Sequence, residues 1–110
     1  MTKNYLEELR ILIKKYKNKG FEYGKPIKYL EFRNSCTKKE MEEEILNFEN
    51  LEFVEKQFRE EEARYALYFI YSGARGRVYV LRFTDKIRIV TVYPLGRTTL
   101  KNYNRGKFKK

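Results

Sequence analysis

Six of the ten arginines lie in the last third of the chain, and with the tyrosines found there their chemistry suits contact with RNA. Arg77 and Tyr93 lie on two predicted strands and are expected to face each other across a hairpin. A guanidinium can bind phosphate through two parallel hydrogen bonds, and a phenol offers a ring for stacking and a hydroxyl. The alternative is that Arg77 and Tyr93 form an ordinary cross-strand pair. Other side chains that could line the same groove are Tyr79, Thr91, Arg97, Thr98, Thr99, Lys101 and Tyr103.

The hairpin register follows from its predicted turn at residues 84–86, which places Phe83 opposite Ile87. One face then carries the pairs Arg82–Arg88, Val80–Val90 and Val78–Val92. The other face carries the pairs Leu81–Ile89, Tyr79–Thr91 and Arg77–Tyr93. We expect the valine end of the first face to pack on helices, and the second face to become polar and aromatic away from the turn.

The charge of the chain favours a polyanionic partner. The 110 residues carry a formal charge of +10, from 25 basic and 15 acidic side chains. Residues 40–62 hold ten acidic and two basic residues, a net of −8, which leaves +18 on the rest of the chain. The alternatives are an anionic membrane or a basic surface without a ligand. The acidic run is either a solvated helix face or a docking face for a basic partner or the chain's own basic tail.

Several classes of site are excluded by composition. The chain has no histidine and one cysteine, Cys36, so it cannot form an internal disulfide, a histidine/cysteine metal site or a Ser-His-Asp or Cys-His catalytic centre. We expect no metal and no cofactor. No apolar run approaches the ~20 residues that span a bilayer, and Glu7, Glu8 and Arg10 interrupt any signal-peptide pattern, so we expect a cytoplasmic protein without a membrane partner.

Periodicity predicts an α+β fold, with two N-terminal helices packed on a small antiparallel sheet of three to four strands. The helices are expected at residues 5–18 and about 37–49, with capping boxes at Asn4/Glu7 and Thr37/Glu40. The strands are expected at 64–71, 77–83 and 87–93, ending before Pro94. Residues 51–60 suit either a helix or a strand. Residues 1–104 form one predicted domain, followed by a flexible basic tail at 105–110.

Residues 20–35 are predicted to be loop or extended chain, because they contain Gly20, Gly24 and Pro26. Their aromatic residues favour core packing over base stacking. These residues are Tyr23, Tyr29 and Phe32.

The order of motifs in the C-terminal third resembles the RelE/ParE-like toxin superfamily. The segments that carry this resemblance are Gly76–Val80, Thr84–Lys86, Ile89–Tyr93, Gly96-Arg97 and Tyr103. The RelE branch cleaves mRNA on the ribosome, ParE-like members poison DNA gyrase, and wider relatives include contact-dependent ribonuclease toxins. Members usually begin with a strand, whereas this chain is predicted to begin with a helix, and residues 64–71 lack the lysines that RelE-type enzymes often carry there.

The resemblance implies a metal-independent endoribonuclease, in which the RNA 2′-OH is the nucleophile. Arg77 and Arg97 match the two family arginines and would stabilise the phosphate charge, while Tyr103 or Tyr93 would transfer protons with help from Lys101. The implied partners are mRNA, on or off the ribosome, and a cognate antitoxin. Two alternatives stay open: a non-catalytic RNA- or DNA-binding module, and a ParE-like inhibitor of a protein target. The predicted RNA contacts are Arg75, Tyr79, Arg82, Arg88, Thr91 and Arg105.

Overall fold

The computed structural model describes residues 4–73 and 75–96. Within them the chain forms three α-helices, a 3₁₀ turn at Lys17–Lys19 and five strands. The helices are α1 (Leu6–Tyr16), α2 (Ile27–Asn34) and α3 (Lys38–Asn47). The strands are β1 (Phe21–Tyr23), β2 (Leu51–Arg59), β3 (Glu62–Ile70), β4 (Gly76–Phe83) and β5 (Ile87–Pro94). None of these helices is long and apolar enough to cross a bilayer.

The strands form one mixed sheet in the order β1-β5-β4-β3-β2. Strand β1 runs parallel to β5, and the other neighbours are antiparallel. The predicted α+β class is confirmed, but two helices and three to four antiparallel strands undercount the structure. The ambiguous segment 51–60 is strand β2.

The segment predicted as loop, residues 20–35, contains β1 and α2. Its glycines and proline lie outside these elements, so they do not interrupt them. Gly20 precedes β1 with a φ of 92°, a conformation that glycine adopts without strain. Pro26 is the N-cap of α2, where its missing N–H costs no hydrogen bond. These residues lie at the ends of β1 and α2, whereas they were expected to exclude helices and strands from the whole segment.

The main core lies between the helices and one face of the sheet. The helices contribute Leu9, Ile13, Leu30, Met41 and Ile45, which are 0–3% exposed. The sheet contributes Val54, Leu67, Phe69, Tyr79, Leu81, Ile87, Ile89 and Val92 to the same cluster. Full burial of each large apolar side chain is worth about 1.5–3 kcal/mol, so this cluster is the main stabilising layer. A smaller cluster on the other face contains Ala66, Val78 and Leu95.

The predicted hairpin register is correct near the turn and wrong beyond it. Phe83 pairs with Ile87, Arg82 with Arg88, and Leu81 with Ile89, as expected. A β-bulge then skips Val90, and the next pairs are Val80–Thr91, Tyr79–Val92, Val78–Tyr93 and Arg77–Pro94. Because side chains alternate along a strand, one extra residue moves every later β5 side chain to the opposite face.

The bulge corrects the expected faces of the sheet. Tyr79 and Val92 lie in the main core beneath the helices, whereas Val78 packs with Tyr93 in the smaller cluster. The prediction that the valine end of the hairpin packs on the helices is therefore wrong for Val78.

Two helix starts were predicted, and one is confirmed. Thr37 and Glu40 form a complete capping box at the start of α3. The predicted box at Asn4 and Glu7 does not form, because Tyr5 is the N-cap of α1 and has no side-chain cap. The Asn4 Oδ1 atom instead accepts a 3.0 Å hydrogen bond from the Val54 N–H on edge strand β2.

Candidate nucleic-acid interface

Two adjoining cavities lie at the end of the sheet where β4 begins. The first, of about 480 Å³, lies between α3 and the β3–β4 connection. The second, of about 190 Å³, lies between the end of α2 and the end of β5. Both are lined by Ser35, Tyr71, Arg75 and Arg77, and we call them together the Arg75–Arg77 groove.

The floor of the groove is an ion pair between Arg77 and Glu44. The Arg77 Nη1 atom donates to Glu44 Oε1 at 2.8 Å, and Nη2 donates to the Asn34 backbone oxygen at 3.1 Å. The two side chains are 16% and 15% exposed. The guanidinium therefore ties strand β4 to α3 and to the end of α2, and most of its charge is neutralised inside the protein.

The Glu44 carboxylate also accepts hydrogen bonds from the hydroxyls of Tyr71 and Tyr79. Burial raises the pKa of both phenols well above the usual value for tyrosine, and the neighbouring carboxylate raises it further. Both hydroxyls are thus donors at neutral pH, and neither is a proton acceptor for chemistry. Burial likewise raises the pKa of the Cys36 thiol, which lines the first cavity and stays protonated.

Arg75 is an exposed arginine that lines both cavities. Its backbone oxygen accepts from Tyr71 N at 3.0 Å and from Ser72 N at 3.2 Å, which closes the β3–β4 connection. The end of β5 is held beside it, because Leu95 N donates to Gly76 O at 3.0 Å. Arg75, which was predicted to contact RNA, therefore lies at the rim of both cavities.

The two cavities differ in charge. The first is lined by four glutamates, so its α3 wall is acidic; they are Glu40, Glu43, Glu44 and Glu49. Among the described residues that line the second cavity, the charged ones are all arginines: Arg33, Arg75 and Arg77. A polyanion is attracted to the second cavity and repelled by the α3 wall of the first.

The other predicted RNA contacts do not share this groove. Tyr79 is 0% exposed, so its predicted RNA contact is replaced by the internal hydrogen bond to Glu44. Tyr93 and Thr91 pair with Val78 and Val80 on the face away from the helices, and burial raises the pKa of Tyr93. The predicted pair Arg77–Tyr93 is wrong, because the bulge separates these two side chains onto opposite faces.

Two further predicted contacts lie near the turn of the β4–β5 hairpin. Arg82 pairs with Glu62, and Arg88 approaches Glu22 at 3.6 Å. Arg82 is five residues from Arg77 along β4, a spacing of about 17 Å in a strand. These arginines are partly neutralised and far from the groove. The predictions for Arg97, Thr98, Thr99, Lys101, Tyr103 and Arg105 lie outside the described residues.

Sequence reasoning missed Glu44 and Arg33. Glu44 lies within the acidic run that was interpreted as a solvated or docking face, yet it is the acceptor shared by Tyr71, Arg77 and Tyr79. Its position one residue before the buried Ile45 is the only local signal that it borders the core face of α3. Arg33 was hidden because α2 itself was predicted as loop.

No family model, curated protein or solved structure matches the chain. The resemblance to the RelE/ParE-like superfamily therefore rests on the motif residues alone, and the groove is the structural feature that bears on function.

Proposed function

We propose that the chain binds RNA through the Arg75–Arg77 groove and acts as a metal-independent endoribonuclease of the RelE-like type. The observation that carries the proposal is the second cavity, whose three charged lining residues are arginines. Arginine binds phosphate with a planar fork of donors, so the two exposed arginines, Arg33 and Arg75, are suited to a nucleic-acid backbone, while Arg77 is paired with Glu44. The basic excess of +18 outside residues 40–62 attracts the same partner over a longer range.

Asn34 also lines the second cavity, but its Oδ1 atom has almost no surface in contact with solvent, so a ligand would not reach it. The preference for RNA over DNA in this proposal rests on the resemblance to the RelE branch, in which the 2′-OH of the RNA is the nucleophile.

The order of elements supports the RelE-like type. Strand β1 is followed by α2 and α3 and then by four antiparallel strands, so a strand precedes the two helices, as in that superfamily. Helix α1 precedes β1 and is additional to the strand–helix–helix–sheet order of that superfamily. Because one fold hosts many activities, this order supports the type of domain and says nothing of the reaction.

In the proposed reaction the 2′-OH of the RNA attacks the adjacent phosphorus. The bond from O2′ to phosphorus forms, the bond from phosphorus to O5′ breaks, and the products are a 2′,3′-cyclic phosphate and a 5′-OH. A base takes the 2′-OH proton and an acid supplies one to O5′, a role that we assign to Tyr103 with Lys101 assisting. Arg97 and Arg75 neutralise the charge on the phosphate.

Arg77 takes a different role from the one that the resemblance implies. Its guanidinium is paired with Glu44 and 16% exposed, so we propose that it positions Arg75 and the end of α2. Tyr93 lies on the other face of the sheet, so we propose no proton transfer through it.

The alternative is a non-catalytic RNA-binding module. It is favoured by one observation: Tyr71, which lines the groove, and Tyr79, which is buried beneath it, both donate to Glu44 and are held protonated. On either alternative we expect a cytoplasmic protein, and a cognate antitoxin would cover the groove. A ParE-like inhibitor of a protein target is the third possibility, and it would not need RNA affinity.

RNA affinity should fall steeply with salt. Each phosphate contact to a single strand contributes a slope of about −0.7 in log K against log salt, so contacts from Arg33 and Arg75 predict a roughly sevenfold loss from about 50 to about 200 mM. Fluorescence anisotropy with a labelled single-stranded RNA measures this, with EDTA present throughout, and gel analysis of the same samples scores cleavage.

The matched variants are Arg75→Ala and Arg59→Ala, since both arginines are exposed but Arg59 lies in the acidic segment 40–62. Arg75→Ala should weaken binding and reduce the slope by about one contact, whereas Arg59→Ala should not. Absence of binding by the parent at low salt would contradict the RNA proposal.

A further inference from the structure

Helix α2 presents two aromatic rings to solvent. Phe32 is 88% exposed and Tyr29 is 45% exposed, and the two lie three positions apart on one helix face. The prediction that these rings pack in the core is wrong for both. Tyr23, the third aromatic residue of this segment, is partly buried and donates its hydroxyl to Glu42 at 2.5 Å.

The opposite side of α2 fixes this orientation. Leu30 is fully buried, and Asn34 is 6% exposed. The Asn34 Nδ2 atom donates to Leu30 O at 2.9 Å and to Val92 O at 3.2 Å, which joins the helix to strand β5. Rotation that buried Phe32 would expose Leu30 and break the bond to Val92. The two exposed rings are therefore held in place by the fold.

The rings are surrounded by positive charge. Lys25, Lys28 and Arg33 are exposed, and Arg33 Nη1 donates to the Tyr29 hydroxyl at 3.1 Å. Glu31 is the acidic residue of α2, and its carboxylate accepts from Lys38 N at 2.7 Å. We call Lys25, Lys28, Tyr29, Phe32 and Arg33 the α2 platform.

The α2 platform is continuous with the groove. Arg33 belongs to the platform and also lines the second cavity with Arg75. A strand that crosses Tyr29 and Phe32 would therefore meet Arg33 next and then Arg75, without passing the acidic wall of α3.

We propose that the α2 platform binds single-stranded RNA, with bases stacked on Phe32 and Tyr29 and phosphates on Lys25, Lys28 and Arg33. Exposed aromatic rings among cations are what binding of single strands requires, since every base has a face to stack and every linkage carries a charge. A protein-docking patch would be expected to have fewer lysines. The inference rests on the proposed RNA binding and adds a surface outside the site that cleaves.

A second exposed phenylalanine provides the control. Phe58 is 70% exposed and lies on β2, within the acidic segment 40–62. It matches Phe32 in residue type and exposure, and the Lys56 ammonium over its ring, with Nζ at 5.5 Å from the centroid, is paired with Glu8 at 2.6 Å. If stacking follows from exposure alone, Phe58 should behave as Phe32 does.

The test uses tryptophan fluorescence, because the chain contains no tryptophan. Phe32→Trp and Phe58→Trp each introduce one reporter, which is titrated with a short single-stranded RNA and with the same RNA as a duplex. We expect single strands to quench the reporter at position 32 and leave the reporter at position 58 unchanged. Duplex RNA should quench neither, because its bases are already stacked.

Affinity provides the second readout. Phe32→Ala should weaken binding about tenfold without changing the salt slope, because it removes stacking and no charge. Lys28→Ala should reduce the slope instead. Parental affinity in Phe32→Ala, with no quenching at position 32, would overturn the platform and leave the proposed groove standing. Absence of RNA binding by the parent would overturn both.

Discussion

Replacing Arg97 with alanine is expected to reduce RNA cleavage about 10²–10³-fold, while the melting temperature stays close to that of the parent. The reason is that a guanidinium beside the reacting phosphate is worth most when charge develops in the transition state. Arg97→Lys should restore little activity, because an ammonium is a point charge and lacks the planar fork that holds two oxygens.

Tyr103→Phe tests the proton transfer in the same assay. It removes the hydroxyl and keeps the ring, so RNA binding should persist while cleavage falls about 10²-fold or more. EDTA should have no effect on either variant or on the parent. The substrate is mRNA, both free and on translating ribosomes, and the products are mapped at their ends.

Attack by the 2′-OH requires products that end in a 2′,3′-cyclic or a 3′-phosphate. Arg59→Ala, a change to an exposed arginine in the acidic segment 40–62, is the matched control and should cut at the parental rate. If the parent cuts no RNA in either setting, or if Arg97→Ala cuts as well as the parent, the nuclease proposal is wrong. The RNA-binding module would then remain if binding persists.

Local patterns predicted the elements whose signals are continuous along the chain. The apolar period found α1 and α3, and the aromatic and branched runs found β3, β4 and β5, with ends within a few residues. Strand β1 has three residues and pairs with β5, about 65 positions away, so no local pattern could reveal it. Helix α2 was missed because two glycines and a proline flank it.

The face of the sheet that each later β5 side chain occupies depends on one residue, Val90, which the pairing with β4 skips. The register counted from the turn is correct as far as the pair Leu81–Ile89. The bulge at Val90 then moves every later β5 side chain to the face opposite the expected one. Gly24 marks the place, since a Cβ there would lie 3.0 Å from the Val90 backbone oxygen. That contact comes from the residue that follows β1, a strand that no local pattern predicts, so the sequence could not indicate the bulge either.

The ion pair at the floor of the groove could not be predicted from the sequence, for a related reason. Arg77 was selected from its neighbours on the strand, and its partner Glu44 is 33 positions earlier, on a helix. Charge counting places residues 40–62 in one acidic block and cannot separate Glu44, which accepts hydrogen bonds from three side chains, from the solvated glutamates. The sequence thus indicated arginines for the proposed RNA contact, and it did not indicate which of them is already paired.

Glu44→Ala should therefore be among the most destabilising single changes in the chain, lowering the free energy of unfolding by about 3 kcal/mol. It leaves the Arg77 guanidinium in a mostly buried site without its counterion, and it removes the acceptor of Tyr71 and Tyr79. Glu44→Gln should cost less, because its amide oxygen can still accept one of these hydrogen bonds. Urea denaturation of each variant measures the change.

Glu43→Ala is the matched control, since Glu43 is the exposed neighbour on the same helix and should change stability by less than about 0.5 kcal/mol. The double variant Glu44→Leu with Arg77→Met should recover much of the stability lost in Glu44→Ala, because it removes both buried charges. Recovery of stability would show that Glu44→Ala is destabilising because it leaves the Arg77 guanidinium without its counterion. Equal stability of Glu44→Ala and Glu43→Ala would show that the ion pair does not hold α3 against the sheet, and Arg77 would then be free to bind phosphate directly.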